Sequence, residues 1–254
     1  MTDKNRIDKV FKEYVEGFDL TDVKIRLKYD HTYRVADNAA VIAQNLGFDE
    51  QDVFLSYCMG VLHDFGRFEQ VKRYGTFIDR KSIDHAELGA ELLFKDGLIR
   101  GFYDEDDLDE KTIALMELVI RAHNKLTLPE GLDERETLFC NIIRDADKVD
   151  IFRVLAEVEY EDGKPGDTPP RRICARDHIM QCVREHRCVP RESGRSEFEV
   201  WVSRMCMAFE LVFPISRELT RQQGYLARIL RRKTDTPQEE AQMDEIRSHL
   251  SFYL

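Results

Sequence analysis

The sequence predicts an all-α protein, a helical bundle followed by a C-terminal α-helical extension. Three observations lead there. Apolar residues recur at three- and four-residue spacing along most of the chain, no stretch alternates like a half-buried strand, and several helix starts carry a capping residue. At 254 residues, 43% hydrophobic and 34% charged, the chain can bury a large core and has neither a disordered nor a membrane composition.

Ile7, Val10, Phe11, Tyr14 and Val15 share one helical face, and Gly17 ends that helix. A second helix is expected from Asp30, with Val35, Ala39, Ile42, Ala43 and Leu46 inward and Gly47 closing it. His31 lies one turn before Val35 on that face. The third helix starts cleanly, with Asp49 as cap, Asp52 in the first turn and Phe48 placed to staple against Val53. It is almost wholly apolar over 53–62, and His63 and Asp64 stand where it runs out. Residues 68–81 read as a loop, and Ser82 as the cap of a helix whose third residue is His85, followed by Leu88, Leu92 and Leu93. After an acidic loop, Asp109 caps a helix with Ile113, Met116 and Ile120 inward and His123 at the end of the stripe. Leu138, Phe139, Ile142, Ile143, Ala146 and Val149 mark a sixth helix.

Pro and Gly in 163–170 make the clearest break, so the expected division is 1–161 and 162–254. Beyond it, Phe198, Trp201, Met205, Ala208, Phe209 and Val212 form a stripe that Pro214 interrupts. Its expected use is packing on the first lobe, with a homodimer face as the alternative.

A net charge of -11 argues against a nucleic-acid partner or an anionic membrane surface, while leaving room for a small phosphorylated ligand. No apolar run approaches a bilayer span, and residues 1–6 lead into an amphipathic helix, so a cytoplasmic protein is expected. The cysteines at 58, 140, 174, 182, 188 and 206 lack a Cys-x-x-Cys pair and read as reduced thiols. Phosphate-loop, dinucleotide and nucleophile-elbow motifs are absent.

Burying His63 beside Asp64 at the end of an apolar helix costs several kcal/mol, about 2 to 7 per polar group, unless something compensates, and a cation does so. His31, His85, His123 and Asp147 are further candidates at helix ends. Imidazole with carboxylate suits iron, manganese, zinc or nickel, and so many ligands exceed the needs of one tetrahedral zinc. Helical periodicity leaves Asp145 and Asp147 equivalent, since they flank the apolar stripe from opposite edges. His178, Cys182 and His186 share a helix face, but the two histidines would lie about 12 Å apart along the axis, too far for one zinc.

The order His31, His63-Asp64 and a distant Asp147 in Ala146-Asp147-Lys148-Val149-Asp150 resembles the HD superfamily of metal-dependent phosphohydrolases over roughly 25–155. His85-Ala86-Glu87-Leu88-Gly89 resembles the His-x-x-x-Gly segment of members with two metals, and His63-Asp64-Phe65-Gly66-Arg67 is similar to the His-Asp-x-Gly-Lys motif of HD-GYP phosphodiesterases. The resemblance implies an HD-domain bundle with a dinuclear site. His31, His63, Asp64 and Asp147 would hold one ion and Asp64, His85 and His123 the other, with Asp64 bridging. Two divalent ions are expected, iron or manganese first, with nickel, zinc and magnesium as alternatives. The implied reaction is hydrolysis of a phosphomonoester or phosphodiester, nucleotide-like or otherwise small, by a metal-activated water. Arg67 takes the place of a phosphate-binding lysine, with Lys148 and Arg34 as weaker candidates. Asn124-Lys125 after His123, and the lack of Gly-Tyr-Pro, argue against cyclic di-GMP. Two other readings share this ligand set: a di-iron oxygenase like the inositol oxygenases, and a nucleotide-sensing module without turnover.

Overall fold

The computed structural model describes residues 2–104, 107–157, 172–190, 192 and 194–254. They are helical throughout, with no strand among the described residues. Contacts divide the chain into two compact units, Met1–Asp147 and Lys148–Leu254. The break expected at 163–170, and with it the 161/162 boundary, lies outside the described residues.

The first unit contains α1 (Lys4–Val15), α2 (Val23–Asn45), α3 (Glu50–Leu62), α4 (Gly66–Tyr74), α5 (His85–Ala90), α6 (Ile99–Phe102), α7 (Glu110–Ala122) and the first part of α8 (Glu134–Glu157). Asp49 and Asp109 cap α3 and α7 through their carboxylates, as the sequence predicts. Three expectations are corrected. First, α2 begins two turns before Asp30, capped by Asp22, because Ile25 supplies an inward residue in a stretch otherwise dominated by charge. Second, residues 66–74, expected largely as loop, form α4. Phe68 and Val71, one turn apart, are buried, and Gly75 ends the helix at φ +66°. Third, Asp84 rather than Ser82 caps α5, accepting from the backbone N–H of Ala86 at 3.0 Å, so His85 is the first helical residue and not the third. Ser82 instead donates to the Ile78 carbonyl.

Rings pack α1 onto the segment that carries His63 and Asp64. Tyr14 stacks on Phe65 at 3.9 Å between centroids, and Phe11 meets Phe68 edge-on at 5.7 Å. Each such pair contributes roughly 0.5–1.5 kcal/mol beyond area burial. Two glycine contacts set the spacing around the site. A Cβ on Gly60 would stand 2.5 Å from the Ala36 Cα, so α3 lies against α2 as closely as backbone allows. A Cβ on Gly66 would stand 2.3 Å from the His85 carbonyl oxygen, and one on Gly89 would stand 3.0 Å from the Gly66 nitrogen. The crossing of α4 and α5 is therefore glycine on glycine.

The second unit holds α9 (Asp177–Arg184), α10 (Glu197–Met205), α11 (Pro214–Gln223), α12 (Tyr225–Leu230) and α13 (Pro237–His249). Ser196 and Glu199 form a capping box on α10. The predicted stripe is core for Met205 and Ala208, partly covered for Phe198, Trp201 and Phe209, and exposed at Val212. Pro214 opens α11, where its missing N–H costs nothing. The His178–Cys182–His186 face dissolves: α9 ends at Arg184, His186 turns to φ 51° and pairs with His249 at 2.8 Å, and His178 faces Glu192. The described cysteines are all free thiols, and no helix among the described residues is long and apolar enough to cross a membrane.

Candidate metal centre

Separate helices bring the predicted ligands together, four of them at helix ends, while His31 and Asp147, also expected at ends, come from the interiors of α2 and α8 because both helices run on past them. His31 projects from α2, His63 caps the C-terminus of α3, Asp64 follows in the turn to α4, His85 opens α5, His123 caps the C-terminus of α7, and Asp147 lies on α8. All but Asp147 are fully buried, and Asp147 keeps 17% of its side chain exposed. Their ligand atoms fall into two sets spaced for a metal ion, His31/His63/Asp147 and Asp64/His85/His123. Asp145 is buried too but belongs to neither set.

The Asp64 carboxylate stands between the sets. Its Oδ2 is 3.4 Å from His63 Nε2 and 3.7 Å from His31 Nε2, whereas its Oδ1 is 3.3 Å from His85 Nε2 and 3.6 Å from His123 Nε2. On the outer side, Asp147 Oδ1 lies 3.0 Å from His31 Nε2 and 3.7 Å from His63 Nε2.

The other ring nitrogens decide what these atoms can do. His63 Nδ1 donates to the Gly60 carbonyl and His123 Nδ1 to the Ile120 carbonyl, each at 2.7 Å and one turn back on its own helix. A carbonyl only accepts, so in the neutral ring the proton is on Nδ1 and Nε2 is a bare lone pair. His85 Nδ1 meets Asp79 at 2.8 Å, with the same result. Burial and the nearby Arg67 guanidinium push the His85 pKa down to about 3 against the pull of Asp79, so this ring is neutral at pH 7. Lone pairs then face lone pairs: the Nε2 atoms of His85 and His123 are 3.1 Å apart, and His63 Nε2 is buried with no hydrogen-bond partner. Acceptors arranged this way repel one another unless a cation lies among them. The residues present fit divalent metal.

Charge in the cluster points the same way. Burial pushes Asp64 upward, but the Lys28 ammonium outweighs it and holds its carboxyl well below the usual range. Asp147 is likewise depressed, burial being overcome chiefly by its hydrogen bond with His31. Both are carboxylates at neutral pH.

Lys28 escapes sequence reasoning. Its Nζ sits 2.5 Å from Asp64 Oδ2, with only 15% of the side chain exposed. The signal was its position one turn before His31, legible only once α2 is known to begin at Val23. Of the predicted phosphate contacts, Arg67 lies nearest, its Nε 3.4 Å from Asp64 Oδ1, while its Nη1 bonds Gln70, the Phe77 carbonyl and Asp79. Arg34 is half-buried one turn beyond His31 on α2. Lys148 is buried with its Nζ 3.4 Å from Glu210.

An all-helical bundle whose helices converge on buried histidines and aspartates that fit divalent metal defines the class of α-helical domains with a candidate metal centre. Within that class, residues 29–151 match the family model of the HD domain. No curated protein and no solved structure matches the chain.

Proposed function

We propose that the protein is a hydrolase of small phosphate esters, nucleotide-like ones among them, working through a pair of divalent ions. The observation that carries this reading is the Asp64 carboxylate, which turns one oxygen to each of two histidine sets, Oδ2 3.4 Å from His63 Nε2 and Oδ1 3.3 Å from His85 Nε2. His31, His63, Asp64 and Asp147 would hold one ion, and Asp64, His85 and His123 the other. Ions held so closely would acidify a water molecule near neutral pH and draw phosphate oxygens, the chemistry of two-metal phosphoryl hydrolysis.

The chain's own part is preorganisation. Backbone carbonyls of α3 and α7 fix the rings of His63 and His123, so no reorientation is left for the moment of reaction. Lys28 and Arg67 are the cations nearest Asp64 and would orient a non-reacting phosphate oxygen. The edge of the cluster at Asp147, whose side chain is 17% exposed, is where substrate would enter.

The test is elemental analysis of purified protein, followed by phosphomonoesters and phosphodiesters, nucleotides included, with added manganese. Two ions per chain and turnover by wild type, lost together in Asp64→Ala, is the expected result. Metal-loaded protein that binds nucleotides without product would make it a sensing module. Oxygen uptake by the iron form on polyols would make it an oxygenase.

A further inference from the structure

His85 differs from His63 and His123 in what holds it. His63 and His123 sit at helix C-termini, where the carbonyl one turn back accepts the Nδ1 proton. His85 is the first residue of α5, so no preceding turn supplies a carbonyl. Its Nδ1 instead faces both oxygens of Asp79, at 2.8 and 3.0 Å. That carboxylate is itself held: Arg67 Nη1 at 3.0 Å and Gln70 Nε2 at 2.9 Å both donate to Oδ1. Gln70 is wholly buried, and its amide also reaches Ser82 Oγ and the Ile83 carbonyl at 2.9 Å each. Two donors on Oδ1 leave Oδ2 aimed at His85. Arg67 and Gln70 belong to α4, whose crossing with α5 is set by Gly66 and Gly89, so the helix that carries the clamp also presses on the ligand it orients.

We infer that Asp79 is a positioning residue for one ion of the pair, fixing the His85 ring with Nε2 outward and making that nitrogen a stronger donor than its two carbonyl-bonded counterparts. A ring that donates to an ionised carboxylate is more basic toward metal than one that donates to an amide. The influence is confined to the Asp64/His85/His123 set, because Asp79 has no contact with His31, His63 or Asp147 among those seen. Asp79, Asp84 and His85 also lie close enough to suggest a metal set of their own. Asp84, however, is committed to capping α5 and to Asn124 and Lys125 at 2.8 and 2.7 Å. The inference rests on the two-ion reading above.

The experiment is manganese titration of the full chain by calorimetry, with electron paramagnetic resonance to tell coupled pairs from single ions. Asp79→Asn keeps the shape and removes the charge. Expected: the first ion binds as in wild type, the second is loosened about 10- to 100-fold, and the coupled signal gives way to a six-line single-ion signal at limiting metal. Gln70→Leu, which leaves the carboxylate but removes one of its holders, should shift the second ion in the same direction by less, and it serves if Asp79→Asn fails to fold. Wild type with no ion would sink the two-ion reading itself. Wild type with two ions and both variants unchanged, or both ions loosened alike, would overturn the role of Asp79 alone.

Discussion

Gly66→Ala is the sharpest test of how backbone spacing makes the centre. The new methyl would stand 2.3 Å from the His85 carbonyl oxygen and 2.6 Å from the Gly89 nitrogen. Non-bonded carbons are not found closer than 3.0 Å, so α4 and α5 must separate by about 0.7 Å at least. Both atoms are backbone, and no rotamer change relieves the clash. Overpacking of this kind costs about 1–3 kcal/mol, which lowers the melting midpoint of a chain this size by roughly 2–10 °C. The effect on metal should be larger than that on the fold. The displaced carbonyl belongs to a ligand residue, and metal distances tolerate only about 0.2 Å. Scanning calorimetry and manganese titration on the same sample separate the two effects. A Gly66→Ala protein with wild-type midpoint and undiminished ion binding would refute the claim that the glycine crossing positions His85.

Other outcomes follow from single contacts. Asp64→Asn should lose both ions where His85→Ala loses one, because only Asp64 offers an oxygen to each set; ion counts after dialysis decide it. Lys28→Met should tighten divalent binding about tenfold, since a charge-assisted hydrogen bond worth about 1.5–3 kcal/mol no longer competes for Asp64 Oδ2, while the KM for a phosphate ester rises; unchanged affinity would mean that ammonium and ion do not share that oxygen. In the second unit, burial raises the pKa of Glu199, but Arg176 and the Ser196 N–H outweigh it and leave it below the ordinary carboxylate value. Its charged form therefore adds stability above about pH 4.3, the unfolded value, and that contribution fades as pH falls further. Glu199→Gln should cost roughly 1–3 kcal/mol at pH 7 and flatten the acid limb of a melting-midpoint profile; an unaltered limb would count against the pairing.

The centre was legible where its polar residues interrupt apolar periodicity. His63 and Asp64 end a buried helix and His123 ends an inward stripe, so both announce themselves as groups in need of a partner. Asp147 was not separable from Asp145, because a 3.6-residue period leaves both at the margins of one stripe and only packing decides which of the two meets His31 and His63. Lys28, Gln70 and Asp79 were hidden for a different reason. In sequence they are ordinary polar residues in charged stretches: Lys28 becomes legible only once α2 is extended back to Val23, and Gln70 lies on α4, whose two inward apolar residues are too few to outweigh Arg67, Glu69, Lys72 and Arg73. The glycines of His-Asp-Phe-Gly and His-Ala-Glu-Leu-Gly carried more than motif value, since each marks a contact that no side chain could share.

Ligands drawn from His31 through Asp147 have a consequence for how the first unit unfolds. A pair of ions whose ligands come between them from five helices would not be kept whole by any partly opened form, since the fraying of one helix surrenders a ligand. Bound metal would thus act as a rivet through the whole bundle, adding about 2.7 kcal/mol to its stability at a free concentration one hundred times the dissociation constant. Amides in segments as distant as α2 and α8 should then slow their hydrogen exchange together when metal is added.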